Sequence, residues 1–136
     1  MLAVICACVG IALLCSMQSG AQGKKKGTGV VSFNSDVLPI IRKHCLPCHA
    51  EDQYNPSELS MDDYDMMKEG GKHGMPWEVG KAKESLIIKK LSDNPPFGDR
   101  MPLNSKKKIK DGTAEWLSPG EIKTIVEWID QGAKKN

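Results

Sequence analysis

Residues 45–49 read Cys-Leu-Pro-Cys-His: two cysteines separated by two residues and followed at once by a histidine. At this spacing the two thiols lie on one side of a helical turn, and each can add to one of the two vinyl groups of a haem. The adjacent histidine is then held beneath the iron, where a ring nitrogen supplies an axial ligand. The stretch is therefore typical of covalent c-type haem attachment through Cys45 and Cys48, with His49 as an iron ligand.

The N-terminus indicates export. Met1–Met17 is uncharged and nearly all apolar, and small residues at Ser19 and Ala21 predict signal-peptide cleavage after Ala21. No basic residue precedes the apolar run, so we expect a start codon further upstream. Retention of this segment, with Lys24–Lys26 behind it, would instead tether the domain to a membrane, as would lipidation at Cys15. We favour cleavage and a periplasmic or otherwise exported protein.

This interpretation divides the chain into a signal peptide over 1–21, a flexible Gly- and Lys-rich linker over 22–29 and one folded domain over 30–136. The length excludes large barrels and multidomain enzymes. A formal net charge of +2 is too small to argue for nucleic acid as a partner. A domain this small buries only a modest core, so we expect one covalent haem at its centre.

Two other kinds of site use the C-x-x-C pattern. A zinc site needs further ligands, yet the mature chain has no second cysteine pair, and His44, His49 and His73 would give an unusual spacing. A thioredoxin-like dithiol needs a βαβ context, which the flanking sequence lacks. Haem attachment is favoured over both because the motif agrees with the export signal.

Four short helices are predicted, and no stretch has a convincing strand pattern, so we expect a mostly α fold. The clearest helix follows the capping box Ser118–Glu121, continues as a stripe of apolar residues and ends at Gly132. Asp36–His44 leads into the haem motif, with Ser35 or Asp36 as its N-cap and Pro39 in its first turn. The other two are predicted over Leu59–Glu69 and Glu84–Leu91.

The iron of such a haem has a second axial position. Met101 precedes Pro102 in a proline-containing loop, which suits a ligand presented from a rigid segment. Met75 precedes Pro76 and shares a glycine-rich loop with His73, so either could compete for the iron, and an open position is the third alternative. The other candidates are expected in the core, namely Met61, Met66 and Met67, or at the surface or haem edge, namely His44.

Further motifs occur in a fixed order around residues 45–49. They are Phe33, Asp36-Val37, Pro39-Ile40, Gly70-Gly71, Gly80-Lys81, Glu84-Ser85-Leu86, Arg100-Met101-Pro102, Leu117-Ser118, Glu121-Ile122, Trp128-Ile129 and Gly132-Ala133. Together they make the chain from about 31 to 134 resemble the planctomycete-type cytochrome c domain, which is similar in architecture to class I cytochromes c. The resemblance implies a small helical domain wrapped around one haem, with His49 and Met101 as axial ligands. The chain departs from the family pattern at Leu103, where a second proline is common.

Electron transfer is the function we expect from these residues. Both axial positions would be filled by protein, and no acid/base or nucleophile constellation is visible, so we expect a single-electron carrier and not an enzyme. Lys106–Lys108 and Lys110 would form a basic patch that steers an acidic redox partner, unless they are an ordinary solvated loop. The alternatives are a haem-based sensor or ligand-binding module with a labile sixth ligand and, less favoured, a peroxidase-like enzyme.

Overall fold

The computed structural model describes residues 29–46, 48–104, 109–112 and 114–136. Within these ranges the chain is helical and contains no strand. Its elements are a π-helical turn (Phe33–Val37), α1 (Leu38–His44), α2 (Tyr64–Glu69), α3 (Leu86–Leu91) and α4 (Pro119–Asp130). The expected mostly α fold is thereby confirmed. The predicted signal peptide and all but Gly29 of the predicted linker lie outside the described residues.

The first helical segment begins earlier than the sequence pattern predicts. Ser32, and neither Ser35 nor Asp36, is its N-cap: the Ser32 hydroxyl accepts the N–H of Ser35, and the Asp36 carboxylate accepts the N–H of Ser32. The π-helical turn then runs directly into α1, where Pro39 lies in the first turn as predicted. A π-helical turn shifts the spacing of the apolar residues, which is why the pattern placed the start too late.

Two of the other helices, α2 and α3, are shorter than the sequence pattern predicts. The side chain of Asp63 accepts the N–H of Met66 and caps α2, so the preceding Leu59–Asp62 segment stays outside the helix. Before α3, the fully buried Ser85 hydroxyl accepts the N–H of Glu78 at 2.8 Å and donates to the Lys81 carbonyl at 2.9 Å. These bonds close the preceding loop, and α3 starts only after them.

The C-terminal helix α4 is confirmed in detail. The Ser118 hydroxyl accepts the N–H of Glu121 at 3.2 Å, and the Glu121 carboxylate accepts the N–H of Ser118 at 2.7 Å. Ile125 and Ile129 are buried on its inner face. Gly132 follows with φ of 104°, a conformation that side chains disfavour, and ends the helix.

An aromatic cluster joins the two ends of the domain. The rings of Phe33, Tyr64, Trp77 and Trp128 pack in tilted and edge-on pairs, with Trp77 and Trp128 centroids 5.0 Å apart. The Trp128 indole donates to the carbonyl of Lys134 at 2.9 Å. This cluster fixes α4 against the first helical segment, whose far end carries the Cys-x-x-Cys-His stretch. No helix in the described part of the chain is long and apolar enough to cross a bilayer.

Candidate haem-binding site

A cavity of about 490 Å³ begins where α1 ends. Cys45, Cys48 and His49 line it, and so does Met101 from the loop that follows α3. Its volume falls within the ~300–1,000 Å³ of typical cofactor pockets. Apolar side chains that also line it are Leu46, Leu59, Met61, Pro76, Leu86, Ile87, Leu91, Phe97, Pro102 and Leu103. All four residues that the sequence analysis assigned to haem binding therefore meet around one largely apolar cavity.

The ring of His49 is oriented by the segment that precedes α2. Its Nδ1 lies 3.1 Å from the carbonyl oxygen of Leu59 and 3.5 Å from the hydroxyl of Ser57. The N–H of Met61 donates to the His49 carbonyl at 2.7 Å, so backbone bonds fix the residue from the same segment. An Nδ1–H that donates to a carbonyl leaves Nε2 as the unprotonated nitrogen, the form that binds a metal ion.

Leu59 and Ser57 are site residues that the sequence analysis missed. The Leu59 carbonyl also accepts a hydrogen bond from the Asn55 amide at 2.6 Å, and the Ser57 hydroxyl donates to the Asn55 side-chain oxygen at 2.7 Å. Leu59 acts through a main-chain oxygen, which every residue type has. Its side-chain identity therefore contained no signal that could have revealed the contact.

The two cysteines differ in exposure. Cys45 is half-buried, and burial raises the pKa of its thiol to about 12, whereas Cys48 is exposed at the cavity rim. The Cys45 N–H donates to Ile41 at 2.8 Å and the His49 N–H donates to Cys45 at 3.1 Å, so the stretch continues α1 as a turn. No disulfide joins Cys45 and Cys48, so both sulfurs are available to form thioethers.

The structure separates the candidates for a sixth ligand. Met101 is half-buried and lines the cavity, and its peptide bond to Pro102 is cis. Met75 is also half-buried, but it packs against the core and is not part of the cavity lining. His73 lines the cavity at its exposed edge, with its ring centroid 4.1 Å from that of Phe97. Met61 is buried as expected and forms part of the wall, which the sequence pattern did not indicate.

Of the two places expected for His44, the surface and the haem edge, the structure favours the second, because His44 lines the cavity. Its side chain is only 3% exposed, and Nε2 lies 3.1 Å from a carboxylate oxygen of Glu121. Lys43 approaches the same oxygen at 3.5 Å and also pairs with Glu115. Because the first turn of α4 faces the end of α1, this contact draws His44 into the cavity wall and joins the two helices.

Glu121 is expected to make stability depend on pH in acid solution. Burial would raise the pKa of this carboxyl, but hydrogen bonds from the Ser118 backbone and the His44 side chain outweigh burial and lower it from 4.5 to about 2. A lowered folded-state pKa contributes stability above pH 4.5, which is lost as the pH falls through about 2. Glu121→Gln keeps a hydrogen-bond acceptor and removes the charge, and it should lower the free energy of unfolding at pH 7 by about 1 kcal/mol, the difference between hydrogen bonds to charged and to neutral groups.

The check is urea unfolding of both proteins at a series of pH values. The free energy of unfolding of the wild type should fall more steeply than that of Glu121→Gln between pH 4.5 and 2. Parallel curves for the two proteins would contradict this origin of the acid sensitivity.

The donors around the cavity suit a haem. Two thiols, an imidazole and a thioether are the groups that c-type haem attachment and axial ligation require, and they line a cavity of suitable size. In the described ranges no three His, Cys, Asp or Glu side chains are gathered as another metal-ion site would need. Of the predicted basic patch, Lys110 is exposed, and Lys106–Lys108 lie outside the described residues.

One comparison, with protein-family models, agrees with this chemistry. Residues 45–102 match the family model described as Planctomycete cytochrome C. No curated protein matches the chain. One similar solved structure is the hydrazine synthase of Kuenenia stuttgartiensis, at 26% identity and a TM-score of 0.45, over 76% of this chain and 16% of that one. The family match runs from the first cysteine of the motif to the proline after Met101, so this part of the chain is similar to the planctomycete-type cytochrome c domain, a family that implies covalent haem c with its iron.

Proposed function

We propose that the protein is an exported carrier of single electrons between redox partner proteins. It would bind one haem c through Cys45 and Cys48, with His49 and Met101 as the axial ligands. The observation that supports this most directly is that all four residues line the same cavity. The family match supports a cytochrome and leaves the carrier function as our inference.

The polypeptide would contribute ligand orientation and exclusion of water. The Leu59 carbonyl aligns His49 so that Nε2 is the nitrogen available to iron. When bound, haem supplies an iron that gains and loses one electron, and histidine–methionine ligation raises its reduction potential relative to two histidines. With both axial positions occupied by protein side chains, the iron would have no free position for an exogenous ligand. This favours a carrier over an enzyme or a sensor.

Access for a partner would be at the exposed rim of the cavity. Cys48 is exposed there, and Leu103, which also lines the cavity, is 69% exposed. An exposed edge of the bound group would be the route by which electrons enter and leave. An acidic redox partner remains our proposal from the lysine-rich segment, and a periplasmic location remains our proposal from the N-terminal signal.

The experiment that tests the carrier function is the absorption spectrum of protein produced with haem-attachment machinery in a bacterial periplasm. The ferric protein should display the charge-transfer band of methionine sulfur on iron. After reduction, carbon monoxide should leave the spectrum unchanged, because both axial positions are occupied. Carbon monoxide binding within seconds would instead support a sensor or ligand-binding module.

A further inference from the structure

The loop over residues 92–100 leads from α3 to Met101, and one side chain binds it at several points. The ammonium of Lys90 donates to the carbonyls of Phe97 and Asp99, each at 2.6 Å. The main-chain carbonyl of Lys90 accepts the N–H of Met101 at 2.8 Å. Lys90 therefore contacts both the tip of the loop and the residue at its end.

The loop is folded around this ammonium. Gly98 lies between the two bonded carbonyls and has φ of 54°, a left-handed conformation that lets both carbonyls face the same nitrogen. A Cβ atom on Gly98 would lie 3.8 Å from the Lys90 nitrogen, so the backbone at Gly98 passes beside the ammonium at ordinary van der Waals distance. The same nitrogen lies 4.7 Å from the centroid of the Phe97 ring.

Lys90 is attached to a helix that is itself fixed on the core. Leu91 of α3 is buried, and Ile87 and Ile88 pack against the core cluster. The Ile87 N–H also donates to the carbonyl of Pro76 at 2.8 Å. The ammonium is thus held at a defined position, and bonds from a charged donor are about twice as strong as neutral ones.

A second pair of contacts closes the same loop but should matter less. Arg100 pairs with Asp93 and lies over the ring of Trp116, with its guanidinium carbon 4.3 Å from the centroid. The Asp93 side chain is 91% exposed, and ion pairs with so exposed a partner contribute little. Lys90 instead binds main-chain oxygens on either side of the loop's glycine.

We propose that Lys90 is the positioning residue for Met101: its ammonium fixes the loop that brings the methionine sulfur to the cavity. This rests on the proposed function, in which Met101 is an iron ligand. Lys90 acts through the loop and is not a ligand itself.

The test uses the haem-loaded protein and three variants. Lys90→Met removes the ammonium and keeps the length of the side chain, and Lys90→Arg restores N–H donors. Lys89→Met is the matched control, because it removes a lysine from an exposed position one residue earlier in α3. Amide hydrogen exchange reports on the loop, the methionine charge-transfer band is followed on warming, and haem content is measured to normalise the spectra.

In Lys90→Met we expect amide exchange over residues 92–101 to accelerate by about tenfold or more. The charge-transfer band should disappear at a lower temperature than in the wild type. Lys89→Met should match the wild type in both measurements, and Lys90→Arg should recover part of the loss.

The proposal would be overturned if Lys90→Met had the same amide exchange over residues 92–101 and the same methionine charge-transfer band on warming as the wild type. Faster exchange with a band as heat-resistant as that of the wild type would also overturn it, because the loop would then be fixed without positioning Met101. A wild type that lacks the methionine band would refute Met101 ligation, and with it the positioning of a ligand. The comparison of amide exchange would still decide whether Lys90 fixes the loop. Failure of Met101 ligation and failure of loop fixation by Lys90 are therefore distinguishable.

Discussion

Replacing both Cys45 and Cys48 by serine should abolish covalent haem attachment completely. Each thiol would form one thioether with the group, so the double variant has no atom through which to bind it covalently. Extraction of the denatured protein with acidified organic solvent should remove all haem from the double variant and none from the wild type. The single variants Cys45→Ser and Cys48→Ser are the matched controls, because each keeps one thiol that can react.

The same double variant should lose much of its thermal stability. The cavity lies against the ends of α1 and α3, and in a variant that cannot retain the haem its largely apolar lining would lose the burial and packing that the haem provides. We expect the midpoint of thermal unfolding to fall by more than about 10 °C, measured by circular dichroism. Haem that resists extraction from the double variant would contradict attachment at these residues.

Replacing Met101 by alanine should have the second-largest effect. The methionine charge-transfer band should be lost, the reduction potential should fall, and the reduced protein should bind carbon monoxide within seconds. The physical reason is that Met101 is the half-buried thioether that reaches the cavity from the loop after α3, and alanine offers the iron no sulfur.

Met75→Ala is the control for this experiment, because Met75 precedes a proline as Met101 does but packs against the core outside the cavity lining. We expect this variant to keep the band and to resist carbon monoxide. A band that survives in Met101→Ala and disappears in Met75→Ala would reverse the assignment. If the band is absent from the wild type as well, His73→Ala would test the imidazole at the cavity edge.

Interactions between residues close in sequence were predictable. The reciprocal bonds between Ser118 and Glu121 were predicted from residue types three positions apart, because a capping box needs only local geometry. The start of the first helical segment was predicted wrongly, because the π-helical turn that begins after the cap at Ser32 leaves no regular apolar spacing. Ser85 ended outside α3 because its hydroxyl binds a loop that precedes it.

The burial of the His44 side chain depends on a contact between distant parts of the chain. Its position beside Cys45 suggested the surface or the haem edge, but Glu121 lies 77 positions away in sequence and accepts its hydrogen bond. A local pattern contains no information on which distant carboxylate will approach a ring. The burial of the His44 ring and the lowered pKa of Glu121 therefore appear only in the folded chain.

The sequence by itself determined the chemistry of this protein: two thiols and a histidine at the spacing of c-type haem attachment, and a helical fold with a capped C-terminal helix. Only the tertiary structure decided that Met101, and not Met75, lines the cavity with them. It also decided that the Leu59 carbonyl orients His49 and that Lys90 binds the loop before Met101. The physical reason is that the last two contacts use main-chain oxygens, which are the same in every residue and acquire a function only where folding places a donor beside them.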